Sequence, residues 1–200
     1  MTEHAAGRRV VTNMSLSLDG YYAHPDNPDD MSWVMPYAFT DVARDHLTVL
    51  WEPATTALLG RRNAEGFLSF WPTVIGADGV DGRDEAFARW LVDVEKVVLS
   101  STLSEAPWER TTIVDTPTAE AVGNLRAADG GDILVLSSAS VIKALLADDL
   151  VDRLALTIFP VFLGGGPRLF DAGLPTAQWA LARQSAGEHG TLSLVYDRLR

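Results

Sequence analysis

Apolar and polar positions repeat with two different periods along this chain, and the places where the period changes mark its elements. Residues 8–18 (RRVVTNMSLSL) read as a first strand. Residues 37–51 (YAFTDVARDHLTVLW) set Phe39, Val42, Ala43, His46, Leu47 and Leu50 at helical spacing, which predicts an amphipathic helix. A short buried strand at 55–60 (TTALLG) runs into a helix at 61–71 (RRNAEGFLSFW), with Asn63 as a candidate cap. A Gly- and Asp-rich loop at 76–84 precedes a further helix at 84–93. Strands follow at 96–101 (KVVLSS) and 111–115 (TTIVD), and then Thr116 as N-cap with Pro117 at the first helical position opens another helix. A strand at 132–137 (DILVLS) leads into a helix at 138–150 (SASVIKALLADDL).

The final third changes character. Residues 153–170 look mostly extended, with Pro160 marking a bulge or an edge, and residues 177–200 form a hairpin candidate around Glu188-His189-Gly190. Early alternation of strand and helix with an antiparallel finish predicts an α/β fold. Its central sheet would be mixed but mainly parallel, flanked by helices, in a single domain over residues 1–200.

Composition narrows the function classes. At 47% hydrophobic and 22% charged the chain can build a normal core, and its formal net charge of −11 argues against nucleic acid or an anionic membrane as a partner. There is no cysteine, which removes disulfides, thiolate catalysis and Cys-ligated metal, and fits a cytoplasmic location. No run reaches the roughly 18–20 apolar residues of a membrane span, so a soluble protein is expected. The four histidines (His4, His24, His46, His189) show no metal-ligand spacing. His46, on an apolar helix face, reads as a satisfied or half-buried side chain.

Candidate chemistry gathers where strands end. One strand runs into Gly60-Arg61-Arg62-Asn63, a second into Ser100-Ser101-Thr102, and a third into Ser137-Ser138-Ala139-Ser140-Val141. In an open α/β sheet the carboxyl ends of parallel strands line the crevice where ligands bind. These three would supply paired guanidinium groups, a hydroxyl cluster and a helix N-terminus with free N–H groups, which together suit a nucleotide's phosphates. Taken singly, each also reads as an ordinary cap or a solvated helix start. LGGGPRLF, at 163–170, is no dinucleotide fingerprint, because the third glycine would fall at Leu169 and no helix pattern follows; it reads as a tight turn.

The first strand ends in Asp19-Gly20 and runs into a polar, Pro-rich stretch through Asp30. Either Asp19 caps a plain turn, or the strand end is the floor of a site and residues 21–35 are its lid.

MSLSLDGYYA, LLGRRNAEGF, KVVLSSTL and LVDRLALTIFPVFLGGGPRLF, in this order from about residue 9 to 199, resemble the dihydrofolate-reductase-like superfamily. More narrowly they resemble its branch containing the reductase domain of the riboflavin-biosynthesis deaminase-reductase. The resemblance implies a single dihydrofolate-reductase-like domain that uses NADPH. Gly60, Arg61, Arg62, Ser100 and Ser101 would surround the adenosine 2′-phosphate, and Ser137, Ser138, Ala139, Ser140 and Val141 would hold the pyrophosphate. Two departures accompany it. Ser137-Ser138 stand where the family commonly has a glycine pair, and Ala38 stands where dihydrofolate reductases carry a pterin-binding acid after Trp-x-x-Pro (here Trp33 to Pro36).

Asp41, one helical turn on, is the candidate substitute, with Trp33 as a further substrate contact and Asp19 as the catalytic residue, its carboxylate orienting a substrate hydroxyl or amine or relaying a proton. The implied activity is hydride transfer from NADPH to a small heterocycle, closest to the ribosylaminopyrimidine of riboflavin synthesis, by a stand-alone reductase. Folate or pterin reduction, or nucleotide binding without turnover, are the alternatives. A homodimer is expected, because the final third is apolar and the resembled family commonly dimerises.

Overall fold

The computed structural model describes residues 7–200, so His4 lies outside the described residues. Eight strands form one sheet: β1 Val10–Ser17, β2 Ala54–Gly60, β3 Glu95–Leu99, β4 Thr111–Val114, β5 Asp132–Leu136, β6 Arg153–Phe159, β7 Gln178–Ala186 and β8 Leu192–Leu199. Their order is β4-β3-β2-β5-β1-β6-β8-β7. The first six are parallel; β8 runs antiparallel to β6, and β7 antiparallel to β8. The mixed, mainly parallel sheet and the closing hairpin are those expected from the alternation.

Among the described residues six α-helices cover the faces: α1 Met35–Ala38, α2 Asp41–Trp51, α3 Arg61–Phe70, α4 Gly82–Asp93, α5 Thr118–Ala127 and α6 Ala139–Ala147. On one face Leu50, Leu68, Phe87 and Leu91 pack against Leu59, Leu134 and Leu136. On the other, Val122, Val141, Ile142 and Leu145 pack against Val10, Leu58, Ile133 and Val135. All five residues of β5 are therefore buried, as a strand covered on both faces must be. Each fully buried Leu or Val contributes about 1.5–3 kcal/mol.

One buried charge is used structurally. Lys96, 2% exposed, donates to the Leu91, Val92 and Val94 carbonyls at 2.8–3.0 Å, which closes the open end of α4.

Three expectations change. The helix placed at 37–51 is two pieces, because the chain breaks at Phe39 and restarts after Thr40 in extended conformation. Pro160 marks neither a bulge nor an edge. It follows the last residue of β6, an interior strand, where no ladder hydrogen bond is asked of it, and residues 160–177 then lie outside the strands. Thr116 does not cap α5, whose N-cap position is Pro117.

Candidate functional site

The sheet has a notch at its carboxyl end. β5 stops at Leu136, opposite Asn13, while β1 runs four residues further to Ser17, paired throughout with β6. On the other flank β2 ends at Gly60 beside Leu99 of β3. The three strand ends singled out from the sequence are thus neighbours, and the end of β1 faces them across the notch.

The β2–β5 flank carries two helix starts side by side. α3 begins after Gly60 and α6 after Ser138, and neither has a side-chain cap. The first-turn N–H groups of both are therefore left to an outside partner, with the helix dipoles favouring an anion. Gly60 sits close to Ser138, Ser140 and Val141, where an added Cβ would lie 3.5–3.9 Å from their side chains. Ser137 takes a left-handed backbone (φ 44°), the conformation for which a glycine is ordinarily chosen, at a cost of about 1–2 kcal/mol.

Arg61 is half-exposed and bonds Glu65 one turn on, at 3.1 Å; Arg62 is exposed, with Asp29 of the β1–α1 loop at 3.9 Å. Exposed pairs of this kind are worth about 0–1 kcal/mol, so an arriving phosphate would displace them readily. Ser100 Oγ accepts the N–H groups of Thr102 and Leu103, an internal turn, and Ser101 is exposed beside it.

On the β1–β6 flank, Asp19 stands where the sequence has it, but both carboxylate oxygens are engaged. Oδ1 accepts Ser17 Oγ (2.6 Å) and the Leu163 N–H (3.2 Å), and Oδ2 accepts the Gly164 N–H (2.8 Å). Burial alone would raise its pKa, but these hydrogen bonds leave the carboxyl below the usual range. An ionised carboxylate is an acceptor only, so Asp19 serves here as an anchor for the Leu163–Gly166 turn and has no proton to give near neutral pH.

Asp19→Asn replaces one acceptor oxygen by an NH2 group facing a backbone N–H. The variant is expected to lose about 1–3 kcal/mol in denaturant unfolding. Because the folded carboxyl titrates lower, this stability is present above the ordinary carboxylate pKa and disappears as pH falls through the folded value. An Asp19→Asn protein as stable as its parent would count against the anchor.

The β1–α1 loop crosses from this flank toward α3. Tyr22 N–H donates to the Pro167 carbonyl, and Arg168 stacks on Tyr21 while donating to its hydroxyl. Its far end is pinned by Trp33, 8% exposed and packed edge-on against Phe159 at 5.9 Å, with Tyr37 stacked on the same ring. Only the tip between these anchors, from Pro25 to Ser32, is largely exposed.

Asp41 is not brought to this group. It opens α2 on the far side of α1, with its carboxylate 2.5 Å from Arg83, which also binds Asp45 and Asp81. His46 departs from expectation too: it is 3% exposed and its Nε2 has no partner.

One residue of the notch was not singled out from the sequence, and a second was given a different role. Asn13, on the floor where β5 stops, has a buried Oδ1 without a partner. Its signal was available, since Asn13, Ser15 and Ser17 alternate as polar positions on one face of a central strand. Asn63 does not cap α3 but donates from Nδ2 to the Leu136 carbonyl at 2.7 Å.

Sheet order, notch and paired helix starts define an α/β architecture with a crevice at the carboxyl end of its parallel strands. The chain belongs to the RibD C-terminal domain family, whose pattern matches residues 8–192. It is 27% identical to the uncharacterized protein YyaP of Bacillus subtilis (strain 168) over 197 residues, 98% of each chain. Among solved structures it resembles a protein from Shewanella sp. PV-4 assigned to riboflavin biosynthesis (TM-score 0.73, 22% identity, covering 96% of this chain and 99% of that one). It also resembles the Thermotoga maritima diaminohydroxyphosphoribosylaminopyrimidine deaminase/5-amino-6-(5-phosphoribosylamino)uracil reductase (TM-score 0.64, 14% identity). That likeness covers 96% of this chain and 57% of the other. The dihydrofolate-reductase-like branch identified from the motifs is therefore the right one, and the fold is that of riboflavin-type reductases.

Proposed function

We propose that the protein is an NADPH-dependent reductase acting on a small heterocycle, in the chemical class of 5-amino-6-(5-phosphoribosylamino)uracil. The observation that carries this is the pair of uncapped helix starts on adjacent strands, one of them opening with Arg61-Arg62. Their N–H groups and dipoles suit a pyrophosphate and the arginines a 2′-phosphate, with Ser100 and Ser101 one strand over. When bound, the reduced nicotinamide supplies a hydride. The chain's part is to orient and to exclude water: Asn13 offers an acceptor on the notch floor, the Pro25–Ser32 tip covers the entrance, and Asp19 holds the turn on which that loop rests.

Reduction of dihydrofolate fits less well, because Ala38 has no carboxylate and that of Asp41 is held by Arg83. Assaying NADPH oxidation with a ribosylaminopyrimidine and, separately, with dihydrofolate tests the reading. Turnover of the pyrimidine alone is the expected result. Saturable NADPH binding without oxidation by either would favour a nucleotide-binding module instead.

The cofactor preference has its own test. A 2′-phosphate gains charge-assisted hydrogen bonds typically worth about 1.5–3 kcal/mol, or roughly 10- to 150-fold in affinity. Replacing both Arg61 and Arg62 by Ala is expected to weaken NADPH by that factor and to leave NADH unchanged. Parallel losses for the two cofactors would refute the assignment of the arginines.

A cytoplasmic homodimer completes the proposal. Among the described residues no helix is long and apolar enough to cross a membrane. β7 is an edge strand with exposed residues on both faces, Leu181 among them, which a second copy would cover. Light scattering at micromolar concentration is expected to give twice the chain mass of 21.7 kDa; the single-chain mass would contradict it.

A further inference from the structure

Ser138 and Asn63 are residues that ordinarily cap helices, and both stand at helix starts, yet neither caps its own helix. Ser138 is 3% exposed. Its Oγ accepts the Gly60 N–H at 3.0 Å and donates to the Leu136 carbonyl at 2.9 Å. Asn63 donates to the same Leu136 carbonyl at 2.7 Å. Two hydrogen bonds, Gly60 N–H to Ser138 Oγ and Asn63 Nδ2 to the Leu136 carbonyl, therefore tie the turn after β2 to the turn after β5, and the bond from Ser138 Oγ to Leu136 braces the second turn internally. The hydroxyl that an anion would otherwise meet at Ser138 is used up, and the backbone donors of both helix starts are left free.

We propose that Ser138, assisted by Asn63, is a positioning residue that fixes the separation between the two anion-binding turns. This rests on the cofactor reading above and adds to it. Each turn alone recognises a phosphate with its own backbone and side chains. The stitch decides how well one ligand reaches both, so it governs a dinucleotide and is indifferent to fragments that occupy a single turn. Joining two subsites gains affinity only when their spacing matches the ligand, and that gain is lost when the spacing relaxes.

Calorimetric titration of the unmodified protein, Ser138→Ala and Asn63→Ala with three probes tests this. Adenosine 2′-monophosphate reads the turn after β2, inorganic pyrophosphate the turn after β5, and NADPH both. In Ser138→Ala, NADPH affinity is expected to fall about tenfold or more while each fragment stays within about twofold. Asn63→Ala is expected to show the same pattern more weakly, and it carries the test should Ser138→Ala fold poorly.

Unchanged NADPH affinity in both variants would overturn the stitch and leave the cofactor reading standing. Fragment and NADPH affinities falling together would also overturn it, since a general loss of structure or a direct ligand behaves that way. If the unmodified protein bound none of the three probes, the cofactor reading would fail and this inference with it.

Discussion

Between pH 6.5 and about 4 the protein is expected to lose about 3 kcal/mol of stability through His46 alone. The ring lies inside the α2 face, 3% exposed and with Nε2 unpartnered. Burial, and secondarily the positive charge of Arg183, lower its pKa from 6.5 to about 4. The unfolded chain therefore takes up this proton first. The stability of the neutral ring is complete above the unfolded pKa, declines as pH falls, and levels off below the folded value.

Urea unfolding of the parent and of His46→Leu at about pH 7 and about pH 4 isolates the effect, because carboxylate titrations are common to both proteins. The parent's stability relative to the variant should shrink by about 3 kcal/mol between the two conditions. Parallel pH profiles would mean that His46 is charged or hydrogen-bonded in the folded state.

Gly166→Ala is expected to cost several kcal/mol and to disturb the loop over the notch. Gly166 has φ +122°, a conformation that L side chains rarely adopt, and a Cβ there would collide with the Ala23 carbonyl oxygen. Strain of this kind costs about 1–3 kcal/mol, and overpacking against a backbone that cannot yield costs about as much again. The loop is fastened to this turn by hydrogen bonds at Asp19 and Tyr22, and Gly166 packs closely against Ala23, so displacing that approach loosens the whole clasp.

The two turns proposed to bind phosphate belong to the opposite flank, after β2 and β5. Turnover by Gly166→Ala is therefore expected to fall much more than its NADPH affinity. Denaturant unfolding and an NADPH titration on the same preparation read both effects. A Gly166→Ala protein with parental stability would contradict the clasp.

Much of this site was legible because its parts are local. β2 and β5 announced themselves as short apolar runs, and the turns that follow them carried Arg61-Arg62 and Ser137-Ser138 in plain view. What those turns do with their side chains was not legible. Asn63 and Ser138 look like caps to any local rule, but their partners lie 73 and 78 residues away. Only the adjacency of β2 and β5 brings them together.

Trp33 and Asp41 mislead in the same way. A Trp inside a polar stretch reads as a lid residue until Phe159, from the other end of the chain, covers it. An acid one turn beyond Pro36 reads as a substrate ligand until the chain break at Phe39 starts α2 anew and Arg83 claims it. His46 was placed on the right face of its helix, but periodicity says which face is buried and not whether a polar atom there finds a partner.

On the proposed function, the paired helix starts after β2 and β5, with Arg61 and Arg62, hold a 2′-phosphorylated dinucleotide. Titrating the unmodified protein with NADPH and with NADH, following energy transfer from tryptophan to the reduced nicotinamide, tests it directly. Saturable binding of both, with NADPH tighter by about tenfold or more, is the expected result. Equal affinities, or no saturable binding of NADPH, would contradict it.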